Sequence, residues 1–153
     1  MANMEQQVSG LVLVVDDDEG VRRVLSRWAA EMGYTVQAAA DADNALDIMR
    51  EHPVDVALVD VRMPGHDGIW LIDQVGRLFP ETAVVLATGL LEMDPMVTLR
   101  PGVVGYVVKP FNREDLTEVI KRGMLERRRL QEAHRSPRLL SDAALDGIVV
   151  STD

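Results

Sequence analysis

Five short, largely apolar runs divide the chain, and each ends abruptly in polar or turn-forming residues. Apolar runs of this kind favour strands that are buried on both faces of a parallel sheet over alternating, half-exposed strands. The predicted strands cover residues 11–15, 34–38, 54–59, 83–87 and 103–108.

Stretches with helical spacing separate these runs. Apolar residues recur at helical intervals over 21–32, 42–49 and 69–78. A long final helix is predicted over 113–135, with Asn112 as its cap. The connection at 90–102 differs, because Pro95 and Pro101 leave room for only about two helical turns between them. We expect a short or mobile helix there.

Strands that alternate with helices predict an α/β fold, with a doubly wound, five-stranded parallel sheet and right-handed crossovers. In such a sheet, ligands bind beyond the carboxyl ends of the strands, where the strand order reverses. The polar residues that end the strands are therefore the first candidates for a functional site.

Composition narrows the classes of protein. The chain has 153 residues and 47% apolar content, which is enough to bury the core of one domain. It has no cysteine, and His52, His66 and His134 are too scattered to suggest a metal cage. The N-terminus lacks signal-peptide features, and no apolar run approaches the roughly 18 residues that span a bilayer. A net charge of -9 argues against a broad nucleic-acid surface, so we expect a cytoplasmic protein without direct nucleic-acid or membrane contact.

Charged and polar side chains come together at the predicted carboxyl edge of the sheet. Asp16 and Asp17 follow the first strand and Asp60 follows the third, while Thr88 and Lys109 end the fourth and fifth. Carboxylates within about 4 to 6 Å repel each other by roughly 4 kcal/mol per close pair at an effective dielectric constant near 20, so their proximity needs a cation. A ligand set of oxygens alone favours Mg²⁺.

Such a site suits a phosphoryl group. A metal held by Asp17 and Asp60 would bind phosphate oxygens, and the Lys109 ammonium and the Thr88 hydroxyl could take the others. The chemistry that this arrangement indicates is phosphorylation of Asp60 itself, since a carboxylate stands at the centre and no glycine-rich phosphate loop with a lysine is present. Taken alone, Asp60 could equally begin a turn.

Two other functions remain open at this point. A phosphohydrolase that works through an aspartyl phosphate needs a second acid two residues after the nucleophile, and Arg62 stands there. A nucleotide-binding or flavin-binding flavodoxin-like domain needs a glycine-rich or hydroxyl-rich phosphate loop, which the sequence lacks.

Four motifs, VVDDD, LVDVRMPGHDG, VVLATG and GYVVKPF, follow one another along the chain. In this order they resemble the receiver domain of two-component response regulators, and the resemblance covers about residues 9–132. It implies a flavodoxin-like (βα)5 fold with strand order 2-1-3-4-5, and the sequence pattern adds an extended C-terminal helix. It also implies a phosphorylation-dependent switch, not an enzyme: the module would catalyse only its own phosphorylation and slow dephosphorylation.

The resemblance gives each acid a role. Asp60 matches the phosphoacceptor, which takes the group from the phosphohistidine of a sensor histidine kinase, from a phosphotransfer protein or from a small phosphodonor. Asp16 and Asp17 match the acidic pair that binds Mg²⁺ together with Asp60. The backbone carbonyl of Arg62 would be a further Mg²⁺ ligand.

Three residues on later strands are matched in the same way. Lys109 matches the phosphate-binding lysine, and its bond to Pro110 is expected in the cis form. Thr88 matches the switch hydroxyl that moves toward the phosphate, and Tyr106 matches its aromatic partner, which would turn into the space that Thr88 leaves. Strand packing alone would also account for Tyr106.

Structural roles are expected for several other residues. Asp18 is expected to cap the first helix and not to bind metal. Trp28 and Trp70 lie at core spacing, which favours packing over ligand contact. Leu90 and Leu91 stand where the family more often has small or polar residues, so the resemblance does not imply the usual helix after Thr88 or a dimer built on it.

The pattern divides the chain into a flexible N-terminus at 1–10, a receiver domain at 11–125, a helical extension at 126–136 and a tail at 137–153. The extension has few apolar residues, so we expect a solvated helix or a weak coiled-coil seam that includes the basic run 127–129. The tail pattern indicates the start of a further domain or a contact with another subunit. The competing interpretation is a stand-alone receiver. A homodimer through the C-terminal helix or the tail is a separate expectation.

Overall fold

The computed structural model describes residues 10–89 and 94–135. Five parallel strands form one sheet in the order β2-β1-β3-β4-β5, which confirms the predicted doubly wound α/β fold. The strands are β1 Leu11–Val15, β2 Thr35–Ala39, β3 Val56–Asp60, β4 Ala83–Gly89 and β5 Val103–Lys109. After β2 the chain crosses back over β1 to form β3, so the switch point of the sheet lies between β1 and β3.

Four α-helices accompany the strands within the described residues. They are α1 Glu19–Glu31, α2 Ala42–Glu51, α3 Gly68–Leu78 and α4 Arg113–Arg135. The carboxylate of Asp18, Asp41 or Asp67 accepts a hydrogen bond from a backbone N–H in the first turn of each of the first three helices. Asn112 and Asp115 exchange hydrogen bonds at the start of α4, so the predicted caps at Asp18 and Asn112 are confirmed. No helix within residues 10–89 and 94–135 combines the length and apolar character that crossing a membrane requires.

Helices cover both faces of the sheet. Successive side chains of a strand point to opposite faces, so each strand contributes to a core on either side. On one face Leu13 and Val15 of β1 pack with α2 and α3, and on the other face Val12 and Val14 pack with α1 and α4. Trp70 and Trp28 are half-buried against these two cores, which confirms their predicted packing role. Burial on both faces explains why the strands read as continuous apolar runs.

The third strand differs from its predicted bounds at both ends. It begins at Val56 and not at residue 54. The backbone of Asp55 hydrogen-bonds Leu11 and Ala83, and its carboxylate accepts a hydrogen bond from the Leu11 N–H at 2.6 Å. At the other end β3 includes Asp60, which pairs in register with Ala87 of β4. The backbone of Asp60 is therefore fixed by the sheet.

The connection between β4 and β5 is described from residue 94 onward. It forms a 3₁₀ helix at Pro95–Leu99, with Asp94 as its cap, so the prediction of a short helix is confirmed for this part. Arg100, which follows it, donates hydrogen bonds of 2.5 and 2.7 Å to the carboxylate of Asp73 in α3. Leu90 and Leu91 lie outside the described residues.

The C-terminal helix stays in contact with the sheet beyond residue 126. Nε of Arg127 lies 2.7 Å from the Asp55 carboxylate, and the two side chains are 17% and 20% exposed. Leu130 is half-buried against the second core. The expectation of a solvated helix from residue 126 is therefore wrong at Arg127 and Leu130, because this face of α4 lies against the sheet. The tail at 137–153 lies outside the described residues.

Candidate functional site

Three carboxylates meet at the carboxyl edge of the sheet, at the switch point between β1 and β3. Asp16 and Asp17 follow β1 and Asp60 ends β3, and one oxygen of each lies within 4.8 Å of the others. Asp16 is 1% exposed and Asp60 is 8% exposed, whereas Asp17 faces solvent. Among the residues that the structure describes, this is the one group of acidic and histidine side chains with metal-binding spacing.

Backbone hydrogen bonds hold the two buried carboxylates in place. Oδ1 of Asp60 accepts a hydrogen bond from the N–H of Arg62 at 3.2 Å, and Oδ1 of Asp16 accepts one from the N–H of Asp18 at 2.9 Å. Each acid is therefore oriented by the turn that follows its own strand. Arg62 and Asp17 also line one cleft at this edge.

Lys109 brings a cation to the two buried acids from the end of β5. Its Nζ lies 3.1 Å from Oδ2 of Asp16 and 3.4 Å from Oδ2 of Asp60. The peptide bond between Lys109 and Pro110 is cis. One ammonium group thus faces two buried carboxylates, and the exposed Asp17 adds a third negative charge.

Burial and the neighbouring charges shift the pKa values of Asp60 and Lys109. Burial raises the pKa of Asp60, and the nearby charge of Asp16 adds to the increase, while Lys109 and the Arg62 N–H oppose it. Burial alone would lower the pKa of Lys109, but its hydrogen bond to Asp16 and the charges of both carboxylates outweigh burial and raise it. The ammonium therefore stays charged at neutral pH, while the ionised form of Asp60 is disfavoured.

The donor set fits a hard divalent cation. Mg²⁺ takes carboxylate and carbonyl oxygens and keeps several waters, and the exposed Asp17 leaves a solvent-facing side for those waters. Because the carboxylates outnumber the ammonium, a divalent cation would relieve their mutual repulsion.

Thr88 and Tyr106 lie on the two strands beside the acids. The Thr88 side chain is buried, and its hydroxyl donates a hydrogen bond to the carbonyl of Gly89 at 3.1 Å. Thr88, Asp60 and Lys109 line a common cleft of about 210 Å³. Tyr106 on β5 is 47% exposed, so it lies at the protein surface. Thr88 is therefore beside the acids, whereas Tyr106 is not part of the core.

Gly68 is a positioning residue that sequence reasoning did not single out. A Cβ atom at this position would lie 2.7 Å from the Cα of Val61 and even closer to the carbonyl oxygen of Asp60. The N–H of Gly68 donates a hydrogen bond to the carbonyl of Val61 at 3.0 Å. The start of α3 thus lies directly against the backbone of Asp60, and only glycine leaves room for it. An Asp-Gly pair such as Asp67-Gly68 is typical of a turn, and this signal does not reveal the contact.

A doubly wound sheet with acids, a hydroxyl and a lysine at its strand ends has the site architecture expected of a receiver domain. A family model of the response regulator receiver domain matches residues 12–121, and the chain belongs to this family. The resemblance drawn from the four sequence motifs is confirmed. The domain at residues 12–121 is thus a phosphorylation-dependent signalling module of the two-component type.

Regulatory proteins are among its relatives. The chain is 36% identical over 132 residues to the transcriptional regulatory protein AruR of Pseudomonas aeruginosa, a match that covers 82% of this chain and 53% of AruR. It is 35% identical over 114 residues to the regulatory protein AtoC of Escherichia coli, covering 74% of this chain and 25% of AtoC. The chain therefore spans about half the length of AruR and about a quarter of AtoC.

Solved structures agree with the fold. A CheY-like response regulator receiver domain protein from Methanospirillum hungatei is 27% identical to this chain, with a TM-score of 0.73. The match covers 80% of this chain and 98% of that protein. A second structure, CheY4 of Vibrio cholerae, is 31% identical with a TM-score of 0.70, covering 75% of this chain and 98% of CheY4.

Proposed function

We propose that Asp60 is the phosphoacceptor of this domain and that it takes its phosphoryl group from the phosphohistidine of a sensor histidine kinase or a phosphotransfer protein. The observation that carries this proposal is the unequal charge at the switch point. Two buried carboxylates and a third, exposed one face a single ammonium group, and the oxygen of Asp60 lies 3.4 Å from that ammonium. An acid with an open cleft and a neighbouring cation is suited to nucleophilic attack on phosphorus.

In the transfer step, a carboxylate oxygen of Asp60 forms a bond to phosphorus as the bond from phosphorus to the histidine nitrogen breaks. The electron pair of the broken bond stays on the imidazole, which takes up a proton from solvent. Mg²⁺, held by the carboxylates of Asp16, Asp17 and Asp60 with the backbone carbonyl of Arg62, would supply positive charge to the phosphoryl oxygens. Lys109 pairs with another phosphoryl oxygen and keeps its ammonium form there.

The switch then depends on Thr88. Its hydroxyl now donates to the carbonyl of Gly89, and a phosphoryl group on Asp60 offers it a charged acceptor in the same cleft. Rotation of Thr88 toward that group frees space behind it, into which the exposed ring of Tyr106 turns. The surface around β5 changes as a result.

This changed surface would control a partner or a fused output domain. We propose residues 11–125 as the receiver, 126–136 as a helical linker and 137–153 as the start of a further domain or as a contact with another subunit, including that of a homodimer. Neither alternative function gains support. Arg62 stands where a phosphohydrolase needs its second acid, and the sequence has no glycine-rich or hydroxyl-rich phosphate loop for a nucleotide.

Incubation with Mg²⁺ and acetyl phosphate tests the proposal. The natural protein should gain one phosphoryl group in an acid-stable, base-labile adduct, whereas Asp60→Asn should gain none. Asp18→Asn is the matched control, because Asp18 is next to the site and asparagine caps a helix equally well, so its labelling should be unchanged. Equal labelling of Asp60→Asn would contradict the proposal, and many turnovers of a phosphomonoester per protein would favour the phosphohydrolase.

A further inference from the structure

An arginine of α1 contacts the backbone of the acidic pair. Arg22 lies in the first turns of α1 and is half-buried, and its Nη1 donates a hydrogen bond to the backbone carbonyl of Asp16 at 2.8 Å. The neighbouring Arg23 has a different environment, because it pairs with Glu19 at the surface and its side chain is 73% exposed. Two adjacent arginines of one helix thus have separate roles.

The backbone carbonyl of Asp16 lies beyond the last residue of β1 that pairs with a neighbouring strand. The last paired residue of β1 is Val15, which lies in register with Ala39 on one side and Val59 on the other. The N–H of Asp16 still donates to the Ala39 carbonyl at 3.2 Å, but the Asp16 carbonyl is beyond the last β1–β3 pair. Arg22 therefore supplies the donor that the neighbouring strand does not.

The hydrogen bond fixes more than one atom. The carbonyl of Asp16 belongs to the planar peptide unit that joins Asp16 to Asp17. The carboxylate of Asp16 is already oriented by hydrogen bonds from the Asp18 N–H and from Lys109. A donor that holds this plane also sets the direction in which the chain, and with it the side chain of Asp17, leaves the strand.

We propose that Arg22 is a positioning residue for Mg²⁺ binding, which it supports by holding the peptide unit between Asp16 and Asp17. This inference rests on the proposed function, because it assumes that the acidic pair binds the metal. For replacement of Arg22, the inference and simple electrostatics predict changes in Mg²⁺ affinity of opposite sign. Loss of a positive charge beside three carboxylates should strengthen cation binding, whereas loss of a positioning contact should weaken it.

Backbone-amide NMR titration with MgCl₂ distinguishes these effects. Arg22→Met removes the hydrogen-bond donor and keeps an unbranched side chain. It should bind Mg²⁺ roughly tenfold more weakly than the natural protein, which is the lower end of the loss seen when a residue that orients a metal ligand is replaced. Arg23→Met, which removes the same charge one residue away, should stay within about twofold of the natural value. Mg²⁺ binding by Arg22→Met that is equal or tighter would overturn the inference.

A second pair of measurements separates positioning from general damage. At saturating Mg²⁺, labelling of Arg22→Met by acetyl phosphate should return to within about twofold of the natural rate, because Asp60 and Lys109 are untouched. A rate that stays low at saturating Mg²⁺ would contradict a role limited to metal binding. If Arg22→Met does not fold, Arg22→Gln replaces it: its amide is too short to reach the Asp16 carbonyl, so the same loss of affinity is expected. If the natural protein itself binds no Mg²⁺, the proposed function fails and not merely this inference.

Discussion

The carboxyl and amino edges of the sheet both contain buried or partly buried charged groups, but these groups have different roles at the two edges. At the carboxyl edge, Asp16 and Asp60 are buried beside the ammonium of Lys109, and Asp17 adds a third carboxylate. At the amino edge, the carboxylate of Asp55 accepts the Leu11 N–H at 2.6 Å and pairs with Arg127 at 2.7 Å. Both edges therefore combine acids with a long cationic side chain from late in the chain.

The difference lies in the balance of charge. One carboxylate meets one guanidinium and one backbone donor at the amino edge, so the charges there are matched and the contact stabilises the fold. Carboxylates exceed the cation at the carboxyl edge, and burial together with the neighbouring charge of Asp16 raises the pKa of Asp60. A matched edge needs no further ligand, whereas an unmatched edge has an unfilled requirement for positive charge.

The largest effect is expected behind the carboxyl edge. Gly68→Ala should destabilise the protein by about 3 kcal/mol, because the new Cβ would collide with the backbone of Asp60 and Val61. Chemical denaturation monitored by circular dichroism measures this loss. Gly65→Ala is the control: its φ is +76° but no atom lies within 4 Å of the added Cβ, so it should cost only about 1 kcal/mol. Equal losses in the two variants would contradict the close contact.

At the amino edge, Arg127→Met should destabilise the protein by about 2 kcal/mol, because it leaves the partly buried Asp55 carboxylate without its cation. The value is below that of a fully buried pair, since solvent reaches both side chains. Arg128→Met, at an exposed position of the same helix, should change stability by less than about 0.5 kcal/mol. Mg²⁺ binding should be unchanged in both, and a loss of Mg²⁺ binding in Arg127→Met would mean that the two edges are not independent.

The smallest effect has the opposite sign. Without Mg²⁺, Asp60→Asn should stabilise the protein at pH 7 by about 1 kcal/mol, the usual size for a change at one polar contact, because it removes one carboxylate while Lys109 keeps its bond to Asp16. Folding raises the pKa of Asp60, so the folded protein binds that proton more tightly than the unfolded chain. The stability of the natural protein therefore falls as pH rises through the raised pKa.

Urea denaturation at a series of pH values measures this effect. The advantage of Asp60→Asn should be larger at pH 7 than in acid, and it should disappear as pH falls below the ordinary Asp pKa of about 3.9, where Asp60 becomes protonated in both states. Asp55→Asn is the comparison at the other edge and should destabilise at pH 7, since it weakens a matched pair. If Asp60→Asn were destabilising as well, the two edges would not differ in charge balance.

Local patterns predicted the fold and most of the site for a physical reason. Strands buried on both faces must be apolar throughout, so the runs that form β1 and β3 are visible in the sequence, and a polar residue at the end of such a run is conspicuous. Asp16, Asp60 and Lys109 could therefore be predicted as neighbours once the sheet was inferred.

Contacts that depend on the relative placement of distant elements could not be predicted in this way. Arg127 reads as part of a solvated basic run, and its pairing with Asp55 depends on where α4 crosses the start of β3. The contact of Arg22 with a backbone carbonyl has no signature in the pattern of side chains. Gly68 signals a turn whether or not another backbone lies against it.

The central claim is that Asp60 carries the phosphoryl group, and chemical mapping of the modified residue tests it most directly. Borohydride reduces an acyl phosphate of aspartate to homoserine, which peptide mass spectrometry can locate. After incubation of the natural protein with Mg²⁺ and acetyl phosphate, homoserine should replace aspartate at position 60, and omission of Mg²⁺ should prevent the change. Homoserine at Asp16 or Asp17, or at no position, would contradict the account.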